Sequence, residues 1–325
     1  MATALNLASL YAPVQPQLEK VRQGVGAYWI DAFRLVYGPA ATPPEVGGKL
    51  LRPALCFLSA GACGAKSLDD FVDMAIAMEL LHLAALAHDD VVDNAELRRG
   101  NAALNSIWDN HTAVLGGDYL VAQALTVLCK YDVCAVVASA LESIHEMAEG
   151  ELINFGRKQG TLLEEDCIRL AEKKTASLFA VSCATPTRLT DTSFREALHA
   201  YGMGVGTAFQ LVDDLLDLSQ SESTLGKPSC GDLVEGKMTL PILYMREGLD
   251  AAGKARVESM AGSELTEEDR QWVRQQLRST GAYERTETLA RQYLADGLRS
   301  LDHVPASRYT ESMIGLAEFI IEREF

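Results

Sequence analysis

The sequence predicts an all-α fold, built as one large domain around a buried helix bundle. Three observations carry that prediction. Apolar residues recur with the 3.6-residue period of a helix in nearly every segment, while the period-2 alternation of strands is nearly absent. No Pro/Gly/Ser-rich linker is long enough to separate domains, and no low-complexity tract interrupts the pattern. Finally, 48% of the 325 residues are hydrophobic, which is ample for a large core.

Leu18 to Tyr37 reads as an amphipathic helix. Pro43, Pro44, Gly47 and Gly48 break the chain before a second apolar segment, Leu51 to Ala60. Leu68 to Val92 is expected as one long buried helix, with Ser67 as its N-cap. Core helices follow at His111 to Lys130, Val133 to Phe155, Leu163 to Ala184 and Phe194 to Leu218. Ser219 to Gly236, rich in Ser, Gly and charge, reads as a loop. Helices at Thr239 to Glu247, Glu267 to Ser279, Tyr283 to Leu301 and Ser307 to Glu322 complete the chain.

Composition excludes several function classes. The formal net charge is −16, with no basic stripe of the kind that tracks nucleic acid. An anionic ligand would need locally clustered Lys and Arg to overcome that field. The seven cysteines, Cys56, Cys63, Cys129, Cys134, Cys167, Cys183 and Cys230, are scattered, with no CxxC; they read as reduced cysteines, mostly buried, of a cytoplasmic protein. The N-terminal stretch lacks the basic and apolar regions of a signal peptide. No run of about 18 uncharged apolar residues is found, so no transmembrane helix is expected.

Two short stretches break the apolar pattern. ALAHDDVVDNAELRRG, Ala85 to Gly100, ends an apolar helix in three carboxylates and then two arginines. QLVDDLLDL, Gln210 to Leu218, repeats the spacing: Asp213, Asp214 and Asp217 match Asp89, Asp90 and Asp93. Residues i and i+4 of a helix share a face about one turn apart, so Asp89 points with Asp93, and Asp213 with Asp217. Stacked carboxylates repel, by about 0.2–0.5 kcal/mol when exposed and by more when half buried. Oxygen-only ligand sets favour a hard ion, and Mg²⁺ typically takes one or two carboxylates plus substrate phosphates. A single such cluster reads equally as a solvated helix end paired with Arg98 and Arg99; two copies on apolar helices favour the metal.

With both clusters in hand, the chain resembles the trans-isoprenyl diphosphate synthases, or polyprenyl synthetases, along nearly its whole length. GGKLLRP at Gly47 to Pro53, GGDYL at Gly116 to Leu120, AEGEL at Ala148 to Leu152, KTASLF at Lys174 to Phe179, GTAFQLVDDLLD, LGKPSCGDLVEGK and TLPIL follow the family's order. The long-chain, octaprenyl type is most similar, with its C-terminal GLA echoed at Gly315 to Ala317.

The resemblance implies an isoprenoid-synthase-type helix bundle around a central active-site cavity, one polyprenyl synthetase domain over residues 1–325. It implies a prenyltransferase. An allylic diphosphate ionises, isopentenyl diphosphate (IPP) attacks through its terminal carbon, and a proton leaves, which the released diphosphate can take. Several Mg²⁺ ions would be bridged to the diphosphate by Asp89, Asp93 and Asp213, with Asp90, Asp214 and Asp217 completing or supporting the shells. Arg98, Lys174, Lys227 and, more weakly, Lys237 would add positive charge to the leaving group. Thr175 and Gln210 would place oxygen dipoles near the carbocation. Lys49, Arg52, His82 and Arg99 match the metal-free IPP pocket. A lone His in an apolar helix is by itself more often a core residue, and only the surrounding motif turns His82 toward IPP. Leu50 departs from the family, which often has a basic residue there. His88 either orients Asp89 or serves packing, and Trp108 reads as an ordinary core or surface aromatic.

Product length depends on the helix leading to Asp89. Short-chain members typically place an aromatic four or five residues before it; here those positions are Ala85 and Ala84, with Leu81 and Met78 deeper as a candidate floor beside residues from Ser139 to Met147. The reading is a product beyond C20, of octaprenyl type (C35–C40). The other reading of the alanines is close helix packing, which would leave a short-chain farnesyl or geranylgeranyl synthase. A terpene cyclase is disfavoured by Lys49, Arg52 and Arg99, and a non-catalytic subunit of a heteromeric synthase by the two intact acidic motifs. The family implies a homodimer, to which the apolar helix Val114 to Leu128 could contribute an interface if it is not core. A long lipid product implies transient membrane contact at release.

Overall fold

A computed structural model of the 325-residue chain describes residues 6–42, 48–93, 97–98, 101–102, 108–156, 162–220 and 229–322. The chain is helical almost throughout. Its helices are α1 (Leu7–Tyr11), α2 (Gln15–Tyr37), α3 (Leu51–Ala62), α4 (Val72–Val92), α5 (Asn110–Cys129), α6 (Cys134–Gly156), α7 (Glu164–Ala171), α8 (Ser177–Ala184), α9 (Arg195–Ser219), α10 (Gly231–Val234), α11 (Leu240–Gly248), α12 (Ala251–Met260), α13 (Glu267–Ser279), α14 (Ala282–Ser300) and α15 (Arg308–Ile321). Among the described residues the extended structure is a two-residue antiparallel ladder, Leu97–Arg98 with Asn101–Ala102.

Most expected helices are present within two or three residues of their ends, and the departures have local causes. Ser67 accepts a hydrogen bond from the Asp69 amide, but it opens a 3₁₀ turn, Leu68–Phe71, before α4 begins. The expected helix from Leu163 to Ala184 is instead α7, a π-helical turn over Glu172–Ala176, and α8. The expected loop from Ser219 to Gly236 contains α10, while residues 221–228 lie outside the described residues. Helices α1 and α12 are additions to the sequence reading; in α12 only Val257 and Met260 are buried, too few to print a periodic stripe.

The chain divides into two compact units. One comprises Met1–His145, Leu178–Gly202 and Arg299–Leu316; the other comprises Glu146–Ser177, Met203–Leu298 and Ala317–Phe325.

In the first unit α4 packs against α2, α3 and α5. Met74, Ala75, Ala77, Met78, Leu80, Leu81, Ala84 and Ala87 are all essentially inaccessible, as expected for a helix apolar on every side. Trp108 is a core residue, its ring 5.2 Å from Trp29 and 6.1 Å from Phe33. A Cβ at Gly202 would lie 2.5 Å from the Ala180 Cα, so glycine is required where α9 crosses α8.

By length and composition alone, Leu68–Val92 and Asn110–Cys129 are apolar enough to cross a membrane, a test that the core helix of a globular protein also passes. The first is 67% buried within the protein, as a core helix would be; the second is 39% buried and leaves Val114 and Leu115 exposed.

In the second unit Val205, Ala208, Leu211, Val212, Leu215 and Leu218 of α9 form the core with Leu240 to Met245 of α11. Here α9 and α14 approach closely: a Cβ on Gly204 would sit 2.8 Å from the Gly297 Cα. At the surface Arg285 joins three elements, lying 2.7 Å from Glu164 and from Glu247 and stacking 3.5 Å from the Tyr244 ring. Five cysteines are buried, and Cys129 and Cys134 are exposed.

Candidate active site

In the first unit the acidic cluster occupies the last turn of α4. The Asp93 amide donates to the Asp89 carbonyl at 2.8 Å and closes the helix. Asp89 and Asp93 are half buried, whereas Asp90 is 1% exposed. Behind Asp89 on the same face lie half-buried Ala85 and His82, one and two turns earlier. Ala84, Leu81 and Met78 are buried in the unit's core. Ala85 is the alanine on the Asp89 face. His88 serves packing: its Nε2 lies 3.2 Å from the Val114 carbonyl and 3.3 Å from Asp118, and a Cβ on Gly117 would collide with its ring.

The same unit positions two of the IPP candidates. Exposed Lys49 precedes Leu50, whose backbone is left-handed (φ 50°, ψ 40°) and whose side chain is buried. Arg52, in the first turn of α3, lies over the Phe179 ring at 4.7 Å. The Tyr11 hydroxyl donates to the Lys49 carbonyl at 2.6 Å. The side chains of Arg98 and Arg99 lie outside the described residues, as does Lys227 of the second region.

In the second unit the π-helical turn brings the KT pair into place. An extra residue in one turn rotates the side chains after it, a device common at functional sites. Lys173 is clamped by Glu146 and Glu149, while Lys174 turns to Glu151 at 2.8 Å. Thr175 Oγ1 donates to Gln210 Oε1 at 2.6 Å, and Gln210 Nε2 donates to Asp214 Oδ1 at 2.7 Å. Thr175, Gln210 and Asp214 thus form one hydrogen-bonded chain, a link that spacing alone does not reveal.

The second acidic cluster is more desolvated. Asp213 is exposed, but Asp214 and Asp217 are 9% and 6% exposed. The segment entering α10 turns back onto Asp217: the Cys230 amide donates to its carbonyl at 2.8 Å, and the Asp232 amide to its carboxylate at 3.1 Å. Cys230 makes that turn in the left-handed region, at φ 61°. Burial, reinforced by Asp213 and Asp217, pushes the Asp214 carboxyl up to about 7, against the opposing pull of Gln210 and Lys237. Burial and then Asp217 and Asp214 push Asp232 well above the carboxylate range. Lys237 sits 2.7 Å from Glu235, so its charge is already partly balanced. Asp232 was missed by sequence reasoning although it stands inside GDLVEGK, because only Lys237 of that motif was weighed. Glu151, the partner of Lys174, was missed in the same way inside AEGEL.

The donor set fits a hard divalent cation. Oxygen-only donors match Mg²⁺ or Ca²⁺, and positive charge would offset the burial that pushes Asp214 and Asp232 up.

Residues 34–277 match the sequence pattern of the polyprenyl synthetase family. Heptaprenyl diphosphate synthase component 2 of Bacillus subtilis is 32% identical over 86% of this chain and 80% of its own length. Octaprenyl diphosphate synthase of Escherichia coli is 33% identical over 99% and 97%. A short chain isoprenyl diphosphate synthase of Methanothermobacter thermautotrophicus is 32% identical over 86% and 87%. Among solved structures, the polyprenyl synthase of Caulobacter crescentus, complexed with calcium and isoprenyl diphosphate, superposes with a TM-score of 0.87 at 30% identity, covering all of both chains. The fold is the all-α isoprenoid synthase fold. The chain belongs to the polyprenyl synthetase family, and it is a prenyltransferase of the trans-prenyl diphosphate synthase type.

Proposed function

We propose that this chain, as a single catalytic domain, condenses IPP with an allylic diphosphate and repeats the step to a product longer than C20, of octaprenyl type. The observation that carries the reading is the hydrogen-bonded chain from Thr175 through Gln210 to Asp214, set beside Asp217 and Lys174 in one unit. It couples oxygen dipoles suited to a carbocation to carboxylates suited to a diphosphate-bound cation.

In this reading Asp89, Asp93 and Asp213 hold Mg²⁺ against the allylic diphosphate, and Asp90, Asp214 and Asp217 complete or support the shells. Bound Mg²⁺ supplies positive charge to the diphosphate as the allylic C–O bond breaks and the electron pair leaves with oxygen. Lys174, Arg98 and Lys227 add charge to the same group, and Lys237 contributes less. Thr175 and Gln210 orient dipoles at the allylic cation. Lys49, Arg52, His82 and Arg99 bind the IPP diphosphate, so that its terminal carbon attacks the cation and a proton is released to the departing diphosphate.

Support for a long product comes from Ala85, a small residue on the Asp89 face of α4. Incubation with Mg²⁺, labelled IPP and farnesyl diphosphate, followed by chromatography of the dephosphorylated products, tests this. A dominant species at C35 or beyond is expected; a stop at C20 overturns the long-chain reading and keeps the class.

A second reading is favoured by the names of two relatives, since the Bacillus subtilis and Geobacillus stearothermophilus proteins are each called component 2 of a heptaprenyl diphosphate synthase. In that case the purified chain alone stays idle and turns over when a second polypeptide is supplied. For the chain alone we propose a cytoplasmic homodimer with transient membrane contact at product release. Exposed Val114 and Leu115 on α5 support an isologous contact. Light scattering on the wild type and Leu115→Glu tests it: a monomeric wild type overturns the dimer.

A further inference from the structure

We propose that Tyr11 and Phe179 are positioning residues of the IPP pocket, fixing Lys49 and Arg52 respectively before the substrate arrives. The proposal rests on the reading of Lys49 and Arg52 as IPP ligands.

A diphosphate is gripped well when its cations stand at a fixed separation, and long side chains resist that because ordering them costs entropy. Lys49 stands two residues before α3 begins. The next residue, Leu50, is left-handed, a conformation leucine adopts only where its surroundings hold it. The surroundings do so from two sides. The Leu50 side chain is buried, and its carbonyl accepts the Ala54 amide at 2.9 Å as α3 begins. On the other side the Tyr11 hydroxyl reaches across 38 residues of sequence to the Lys49 carbonyl at 2.6 Å. Tyr11 is itself 7% exposed, so the donor is anchored. Its hydroxyl donates to main chain, so its proposed effect on a substrate passes through Lys49.

Arg52 is held differently. Phe179 is wholly buried, and the guanidinium carbon stands 4.7 Å from its ring centre. A guanidinium is attracted to an aromatic ring while its N–H groups donate in its own plane, so the ring restrains where the guanidinium stands without using those donors. Phe179 lies 127 positions along the chain from Arg52, in KTASLF, two motifs that sequence alone assigns to different substrates.

The test is equilibrium dialysis of the full chain against labelled IPP without allylic substrate, together with the KM for farnesyl diphosphate. Tyr11→Phe and Phe179→Leu each weaken IPP binding by about threefold to tenfold, the range of one lost hydrogen bond or cation–π contact. The farnesyl diphosphate KM stays within about twofold, because its ligands are untouched. Lys49→Ala and Arg52→Ala are the controls. If these leave IPP binding unchanged, the pocket assignment fails and the proposal with it. If they weaken IPP while Tyr11→Phe and Phe179→Leu bind like wild type, or weaken both substrates alike, the pocket stands and the positioning role is overturned. Should Phe179→Leu not fold, Tyr11→Phe, which removes one oxygen, decides.

Discussion

The two acidic clusters share their letters and spacing but not their surroundings. Asp89, Asp90 and Asp93 close α4, where the negative end of the helix dipole adds to their mutual repulsion. Asp213, Asp214 and Asp217 stand near the end of α9, but Gln210, one turn earlier on the same helix, and the Asp232 amide, from α10, donate to them. Two of the second set are nearly inaccessible, whereas one of the first set is. One spacing thus yields a half-exposed set and a buried, supported one. The spacing brings carboxylates together; the packing decides how far each is withdrawn from water and what donates to it.

The largest expected effect is loss of a carboxylate from either cluster. Asp89→Ala and Asp213→Ala should each lower kcat by about a hundredfold to a thousandfold, measured at saturating substrates and Mg²⁺. If one cluster proves dispensable, the clusters are not joint ligands. A smaller effect separates the clusters directly. Gln210→Leu removes the amide between Thr175 and Asp214 and should lower kcat by about tenfold, the size of one or two hydrogen bonds. An unchanged kcat would leave the second cluster's support without catalytic meaning.

The pH response sharpens the contrast. Asp214 binds its proton more tightly folded than unfolded, with a folded value of about 7. Between the ordinary carboxylate range and that value the unfolded state binds fewer protons, so stability of the metal-free protein falls as pH rises through this window. Asp214→Asn should flatten the slope in denaturant titrations at several pH values. Apparent Mg²⁺ affinity should rise with pH up to about 7, on the order of tenfold per unit for one released proton. A pH-independent affinity would mean that Asp214 is not linked to metal. Smallest in free energy is Ala85→Phe on the first cluster's helix, which should shorten the product by at least one isoprene unit while leaving IPP affinity unchanged. An unaltered product distribution would remove Ala85 as a length determinant.

Much of this was legible in the sequence where burial writes a period. Helix α4 is apolar on all sides and α9 carries a clean stripe, so both were found with their acids. What escaped has no such signature. Helix α12 buries two side chains. The π-helical turn at Glu172–Ala176 lies in an unbroken helical pattern, with neither Gly nor Pro to mark it. Asp232 is one acid among many until α10 folds it against Asp217, and Tyr11 meets Lys49 only through tertiary packing. The resemblance supplied residue roles that spacing could not, but it carried no partners: Glu151 for Lys174, Gln210 for Thr175 and Phe179 for Arg52 are products of packing.

The Thr175–Gln210–Asp214 chain has a direction. With Asp214 ionised, the amide gives its hydrogens to the carboxylate and takes the threonine hydrogen at its oxygen. A proton on Asp214 Oδ1 would make that oxygen a donor, and the carboxamide would then turn over, with Thr175 becoming the acceptor and freeing its own hydrogen; a proton on Oδ2 leaves the direction unchanged. The side-chain amide resonances of Gln210, followed while Mg²⁺ is added near neutral pH, would report that reversal or its absence. A proton on that one carboxylate oxygen would thereby be written, two residues away, as the sense in which a hydroxyl points.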